Sequence, residues 1–272
     1  FTGSCETANI IKKNLNKSEG EIIPFTAETG GLNFMIIDSS ALTEQVVDDA
    51  IESGFYSAGQ RCSALRILAV QEEVYERTIN MLKGATKKIK VGLPYLLSTD
   101  IGPVIDQEAK DCINNHIQSF SSKVLVKTSI SNEKDGFYVS PTIIEIDNLF
   151  EVKKEIFGPV IHVYKYKADE IEKLVSDINK MNYGLTLGIQ SRIENTINYI
   201  FDNANIGNIY INRNIVGAVV GVQPFGGRGL SGTGPKAGGP NYLMTFTNEK
   251  TYSYDTTAAG GNASLFMMSE NK

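Results

Sequence analysis

The sequence predicts an α/β fold. Short apolar runs alternate along the chain with segments whose apolar residues recur at helical spacing. With 272 residues and 42% hydrophobic content, the chain can bury a sizeable core. A single sharp composition shift sits late in the sequence, where nine glycines fall within the 23 residues 217–239.

Residues 1–3 read as the tail of a strand. Residues 4–16 follow as a helix carrying Ile10, Ile11 and Leu15 on one side. Residues 21–27 and 32–37 are strand candidates. A helix then runs to about Ser53, capped by Ser39 or Ser40 and stopped by Gly54. Residues 66–70 form a buried strand, residues 72–89 a helix and residues 94–103 a loop. The 106–120 helix places Ala109, Ile113, Ile117 and Phe120 on one face, with Cys112 beside that face as a packing residue. Strands near 124–127, 138–146 and 160–166 precede a helix over 168–181, a strand over 185–190, a helix over 193–203 and a strand over 208–211. The glycine-dense stretch excludes regular structure, and its interleaved Val, Gln, Pro and Phe predict a packed, shaped loop rather than a linker. The polar tail from Thr247, with Tyr252 and Tyr254, has the pattern of an edge strand that adds to a partner's sheet.

Composition excludes several function classes. Thirty-one acidic against 26 basic residues give a net charge of −5, which argues against nucleic acid as a partner. Uncharged apolar runs such as 216–222 are too short to cross a bilayer. Three cysteines without paired spacing imply no disulfide framework and fit a reducing, cytoplasmic compartment. The only histidines, His116 and His162, leave little for a His-based metal site, and no metal is expected. The chain opens on Phe1 with no charged-then-apolar leader, so we expect no signal peptide and a partial chain.

Several residues carry candidate chemistry. Cys62 lies in Gly59-Gln60-Arg61-Cys62-Ser63, where a helix breaker precedes it and an arginine adjoins it. A nucleophilic cysteine needs such an exposed, electropositive setting, because the thiolate reacts; the alternative is a small core residue. Glu28, in Ala27-Glu28-Thr29-Gly30-Gly31, has the sequence setting of a general base, or of a solvated loop acid. Glu155-Ile156-Phe157-Gly158-Pro159 joins an acid suited to ribose hydroxyls, an aromatic suited to a flat ring, and a rigid turn. Gly3-Ser4 leads into a helix whose first-turn amides suit phosphate, although serine is also an ordinary N-cap.

Taken together, these segments resemble the aldehyde dehydrogenase superfamily. The carriers are Phe1-Thr2-Gly3-Ser4, Glu28-Thr29-Gly30-Gly31, Gly59-Gln60-Arg61-Cys62, Glu155-Ile156-Phe157-Gly158-Pro159, and Pro224-Phe225-Gly226-Gly227 followed by Leu230-Ser231-Gly232-Thr233-Gly234. Their order matches the family, as does the separation of 34 residues between Glu28 and Cys62. The run from Ser57 to Arg66, the run from Ile211 to Gly227, and the ending from Thr256 to Ala263 are similar to the pyrroline-5-carboxylate (L-glutamate γ-semialdehyde) dehydrogenase branch carried by bifunctional proline-catabolic flavoproteins.

The resemblance implies an aldehyde dehydrogenase-like catalytic domain with a parallel-rich sheet and flanking helices. Only the end of a Rossmann-like NAD-binding domain would be present. Residues 1–30 would be that remnant, 31–230 the catalytic domain, and 231–272 a return segment and oligomerisation tail. The implied activity is NAD-dependent oxidation of L-glutamate γ-semialdehyde to L-glutamate, the second step of proline catabolism. Cys62 would be the nucleophile that forms a thioester, and Glu28 would activate the hydrolytic water. Gly3 and Ser4 would meet the NAD pyrophosphate, Glu155 the nicotinamide ribose, and Phe157 the nicotinamide end. Ser63 with the backbone of Gly217 and Ala218 would hold the substrate carboxylate. The family's upstream oxyanion Asn and adenosine-ribose Lys are not in this sequence, so weak NAD binding and a missing N-terminal half are expected, with homo-oligomerisation through exposed apolar edges. Two further readings remain open: a non-catalytic folded half-enzyme acting by association, and a cysteine acyl hydrolase needing no cofactor.

Overall fold

In the computed structural model, which describes residues 1–130, 136–255 and 267, the apolar runs assemble into one seven-stranded sheet. The strands are β1 (Asn33–Ile37), β2 (Leu65–Gln71), β3 (Val124–Lys127), β4 (Thr142–Ile146), β5 (Val160–Tyr166), β6 (Tyr183–Gly184), β7 (Thr186–Gln190), β8 (Asn208–Ile211) and β9 (Arg228–Gly229). The large sheet has the order β3-β4-β5-β2-β1-β7-β8; β6 and β9 form a small antiparallel pair beside it. Among the described residues, every pairing in the large sheet is parallel except β3 with β4. Every residue of β1, β2 and β7 is buried, as expected for central strands of a parallel sheet.

Among the described residues there are six α-helices: α1 (Cys5–Lys17), α2 (Thr43–Phe55), α3 (Glu72–Thr86), α4 (Gln107–Ser119), α5 (Ile171–Lys180) and α6 (Glu194–Asn203). α2 supplies the crossover between the adjacent strands β1 and β2, and packs with α3 against β2 and β5. The outer segments are braided onto this body. Gly3 N–H donates to Glu28 O, Thr29 N–H to Ser231 O, and Thr233 N–H to Ala27 O.

Several expectations need correction. Residues 21–27 form no strand; only Thr2 and Gly232 bridge to Glu28 on either side. The second helix starts at Thr43 with Leu42 as its N-cap, because Ser40 donates from its hydroxyl and N–H to the buried Asp38 carboxylate and Ser39 N–H donates to Gln71 Oε1. Gly54 does not stop that helix but lies within it, where Ile161 comes so close that a side chain would collide. α3 ends at Thr86 rather than at 89, and the strand expected over 138–146 is confined to Thr142–Ile146. Cys112 is exposed rather than packed. Within this chain residues 247–255 pair with no strand, and Tyr252 and Tyr254 stack with ring centroids 6.2 Å apart; addition to a partner's sheet remains a proposal. The resemblance noted for residues 256–263 lies outside the described residues. No helix among the described residues is long and apolar enough to cross a membrane.

Candidate active site

The site gathers at the amino ends of the central strands. Cys62 precedes β2, Glu155 and Phe157 precede β5, Glu28 precedes β1, and Leu185 precedes β7.

Cys62 is delivered by a strained turn. Ser57, Ala58 and Gly59 are successively left-handed, with φ of 58°, 53° and 65°. That conformation costs a non-glycine residue about 1–2 kcal/mol, so the surroundings must hold it. Arg66 does so from beneath, with its side chain 1% exposed. Its guanidinium donates to Gly59 O (2.8 Å), Gly158 O (3.1 Å), Arg61 O (3.1 Å) and Glu155 Oε1 (2.9 Å). A Cβ at Gly59 would overlap the Gly158 carbonyl, so this position needs glycine for space as well as for φ. Asn33 pins the other side of the turn. Its Nδ2 donates to Cys62 O (2.6 Å) and Ala64 O (2.8 Å), while its Oδ1 accepts from Thr186 N–H (3.1 Å).

A cavity of about 440 Å³ opens over this turn. Cys62, Glu28, Glu155, Phe157, Gly3 and Ser4 all line it, together with Cys5, Glu6, Lys154, Tyr183 and others. The nucleophile and base candidates, from separate segments, therefore face one space. Ser4 caps α1, its Oγ accepting from Thr7 N–H (3.1 Å), and Gly3 to Glu6 lie along the wall. The first turn of α1 thus presents its amino end to the cavity.

The electrostatics differ from the electropositive setting expected for Cys62. Burial pushes its thiol up from the ordinary range, and the Glu155 carboxylate adds to that. Arg61 does not offset this, since its guanidinium turns to Ser57 Oγ (3.0 Å). Burial likewise raises Glu28, against the lowering effects of the Gly227 N–H, Lys236 and the chain's α-amino group. Its Oε2 accepts from Gly227 N–H (3.1 Å), and its buried Oε1 has no partner among the described residues. Glu155 is raised by burial and lowered by Arg66 and the Gly31 N–H, which donates to its Oε2 at 3.2 Å. A raised carboxyl suits proton abstraction near neutral pH.

Ser63, Gly217 and Ala218 are not among the residues lining this cavity. Ser63 is buried, and Gly217 is exposed with φ 73°. His116 of α4 and His162 of β5 join each other through their Nε2 atoms (2.8 Å), and neither lines the cavity. Sequence reasoning passed over Asn33, Arg66 and Lys236. The signal for the first two was present: a lone amide and a lone guanidinium inside runs that otherwise read as buried apolar strands.

The aldehyde dehydrogenase family profile matches residues 1–252. The chain belongs to the aldehyde dehydrogenase family. It is 53% identical over 254 residues to the bifunctional protein PutA of Escherichia coli K12, covering 89% of this chain and 19% of that protein. It is 36% identical over 259 residues to a 1-pyrroline-5-carboxylate dehydrogenase of Geobacillus sp. WCH70, covering 93% of this chain and 50% of that one. Among solved structures, a Bradyrhizobium japonicum PutA variant superposes with a TM-score of 0.91 at 48% identity, covering 96% of this chain and 27% of the other. A Thermus 1-pyrroline-5-carboxylate dehydrogenase with bound NAD gives 0.83 at 30% identity, covering 90% and 48%. The chain therefore spans about a fifth of the curated PutA relatives and about half of the single-activity dehydrogenases.

Proposed function

We propose that this chain carries the nucleophile, base and nicotinamide-side contacts of an NAD-dependent oxidation of L-glutamate γ-semialdehyde to L-glutamate. The observation that carries this reading is the convergence of Cys62 and Glu28 on one cavity with Glu155, Phe157 and the Gly3-Ser4 turn. Relatives named for proline utilisation and for 1-pyrroline-5-carboxylate dehydrogenation support the substrate class.

The Cys62 sulfur, as thiolate, adds to the aldehyde carbon and gives a thiohemiacetal. Bound NAD supplies the acceptor for the hydride that leaves this carbon. The residues fit such a group: α1 presents first-turn amides, Glu155 retains acceptor capacity beside Arg66, and Phe157 offers a half-exposed ring. Loss of hydride leaves a thioester on Cys62. Glu28 takes a proton from water, the hydroxide adds to the thioester carbon, and the C–S bond breaks to release the carboxylate product and regenerate the thiolate. Ser63 and the backbone of Gly217 and Ala218 are the candidates for holding the substrate's α-carboxylate.

Two measurements test this on the chain: calorimetric titration with NAD, and NADH absorbance with glutamate semialdehyde as substrate. Cofactor reduction lost in Cys62→Ala is the expected outcome. Glu28→Gln should retain the first hydride transfer while slowing turnover by about 10²–10⁴-fold as thioester accumulates. Absence of any Cys62-dependent reduction, or Cys62-dependent ester cleavage indifferent to Glu28, would overturn it.

A further inference from the structure

Arg66 reaches two turns at once. Its Nη1 donates to Gly59 O (2.8 Å) and Gly158 O (3.1 Å), and its Nη2 to Arg61 O (3.1 Å) and Glu155 Oε1 (2.9 Å). Each terminal nitrogen therefore gives one hydrogen to the turn that delivers Cys62 and one to the turn that carries Glu155 and Phe157. Nε is buried and has no partner among the described residues, so the hydrogen bonds of this guanidinium all go to those two turns. The guanidinium carbon also lies 5.5 Å from the centroid of the Phe157 ring.

Glu155 is held from a second direction. Gly31 N–H donates to its Oε2 (3.2 Å), and a Cβ on Gly30 would collide with that same oxygen. The carboxylate thus sits between the guanidinium and the backbone of residues 30 and 31, while Glu155 still lines the cavity. Arg66 is not among the lining residues, so whatever it does for a bound molecule passes through the side chains it holds. A planar fork with four hydrogens on two nitrogens can straddle two turns, whereas an ammonium offers three hydrogens at one point and cannot. Burying a guanidinium carries a desolvation cost that an apolar side chain of similar volume avoids, so packing alone does not call for arginine here.

We propose that Arg66 is the positioning residue for Glu155: by straddling the two turns, its guanidinium holds that carboxylate at one place relative to the Cys62 turn, where it meets the nicotinamide ribose. This rests on the reading of Glu155 as a cofactor contact. Arg66 then contributes to NAD affinity without touching NAD, and its contribution exists only while Glu155 is there to be positioned.

The test is a double-mutant cycle on NAD affinity. NAD is titrated by calorimetry into the parent, Arg66→Lys, Glu155→Gln and the double variant. Arg66→Lys keeps the charge but loses the fork, and should weaken NAD binding about ten-fold, the scale of one misplaced hydrogen bond to a charged group. In the Glu155→Gln background the same substitution should change affinity by no more than about two-fold, the scatter of such cycles. A merely structural role would weaken binding equally in both backgrounds, in proportion to the folded fraction, which circular dichroism reads at the same temperature. Arg66→Gln, which keeps two donors without the charge, takes the lysine variant's place in the cycle if that one fails to fold. Equal loss in both backgrounds, or parent affinity in Arg66→Lys, overturns this inference alone. A parent protein that binds no NAD, or binds it equally well after Glu155→Gln, overturns the cofactor reading of Glu155, and the inference with it.

Discussion

Removing Arg66 should cost far more than a surface arginine would, and in a way that identifies its partner. The guanidinium is buried and holds three carbonyls and the Glu155 carboxylate. Arg66→Met fills much of the volume but strands a carboxylate whose side chain is only 16% exposed. Breaking a buried pair from one side costs about 3–5 kcal/mol. For a chain of this length that lowers the melting temperature by on the order of 10 °C. Glu155 already lies above the ordinary carboxylate range through burial, with Arg66 as the counterweight. Without Arg66 it rises further, so the native state binds more protons than the unfolded state, and the deficit shrinks as pH falls from 7 toward 5. The double variant Arg66→Met/Glu155→Gln removes both charges and should recover most of the loss. Thermal unfolding of the three proteins at two pH values provides the assay. A single variant melting within about 2 °C of the parent, or a double variant no more stable than the single one, would refute the argument.

Two other outcomes follow from the same geometry. Gly59→Ala should lose about 2 kcal/mol or more, from left-handed strain and displacement of Gly158, and should slow alkylation of Cys62; denaturant midpoints and thiol-labelling rates read both. His162, fully buried and donating from Nδ1 to Arg66 O (3.0 Å), has its pKa driven down to about 3 by burial and then by His116. The unfolded state therefore takes up the proton first, so stability falls as pH drops below about 6.5, by at most about 1.4 kcal/mol per pH unit. His162→Gln should flatten that acid limb relative to the parent, and an unchanged slope would contradict it.

The sheet was legible because its central strands are continuous apolar runs, and Leu65–Gln71 or Thr186–Gln190 leaves little room for another reading. The failures share a cause. Ser39 and Ser40 carry good capping chemistry, but the buried Asp38 carboxylate claims Ser40's hydroxyl and backbone N–H. Residues 21–27 have strand-like composition, yet no strand among the described residues pairs with them, and a strand without a partner has no ladder to join. In the site, Cys62, Glu28, Glu155 and Phe157 were visible as motifs, whereas Arg66 and Asn33 showed only as lone polar residues in apolar runs, because their partners lie as far as 92 and 153 residues away and no local pattern names them.

The two side chains proposed to react are held by different kinds of structure. Cys62 is fixed by the sheet itself: Asn33 links its turn to β1 and β7, and Arg66 links it to the entry of β5, so the sulfur's position follows from strand register. Glu28 belongs to no strand. Its place depends on hydrogen bonds from residues 1–3 on one side and 231–233 on the other, and on the glycine loop behind its carboxylate. Sheet register is hard to change without unfolding, whereas a braid of loop segments tolerates local rearrangement. Changes in the loop can therefore alter the proposed water-activating step while the sulfur stays in place. The proposed thioester route gains from this separation, because in it the carboxylate acts only after the hydride has left.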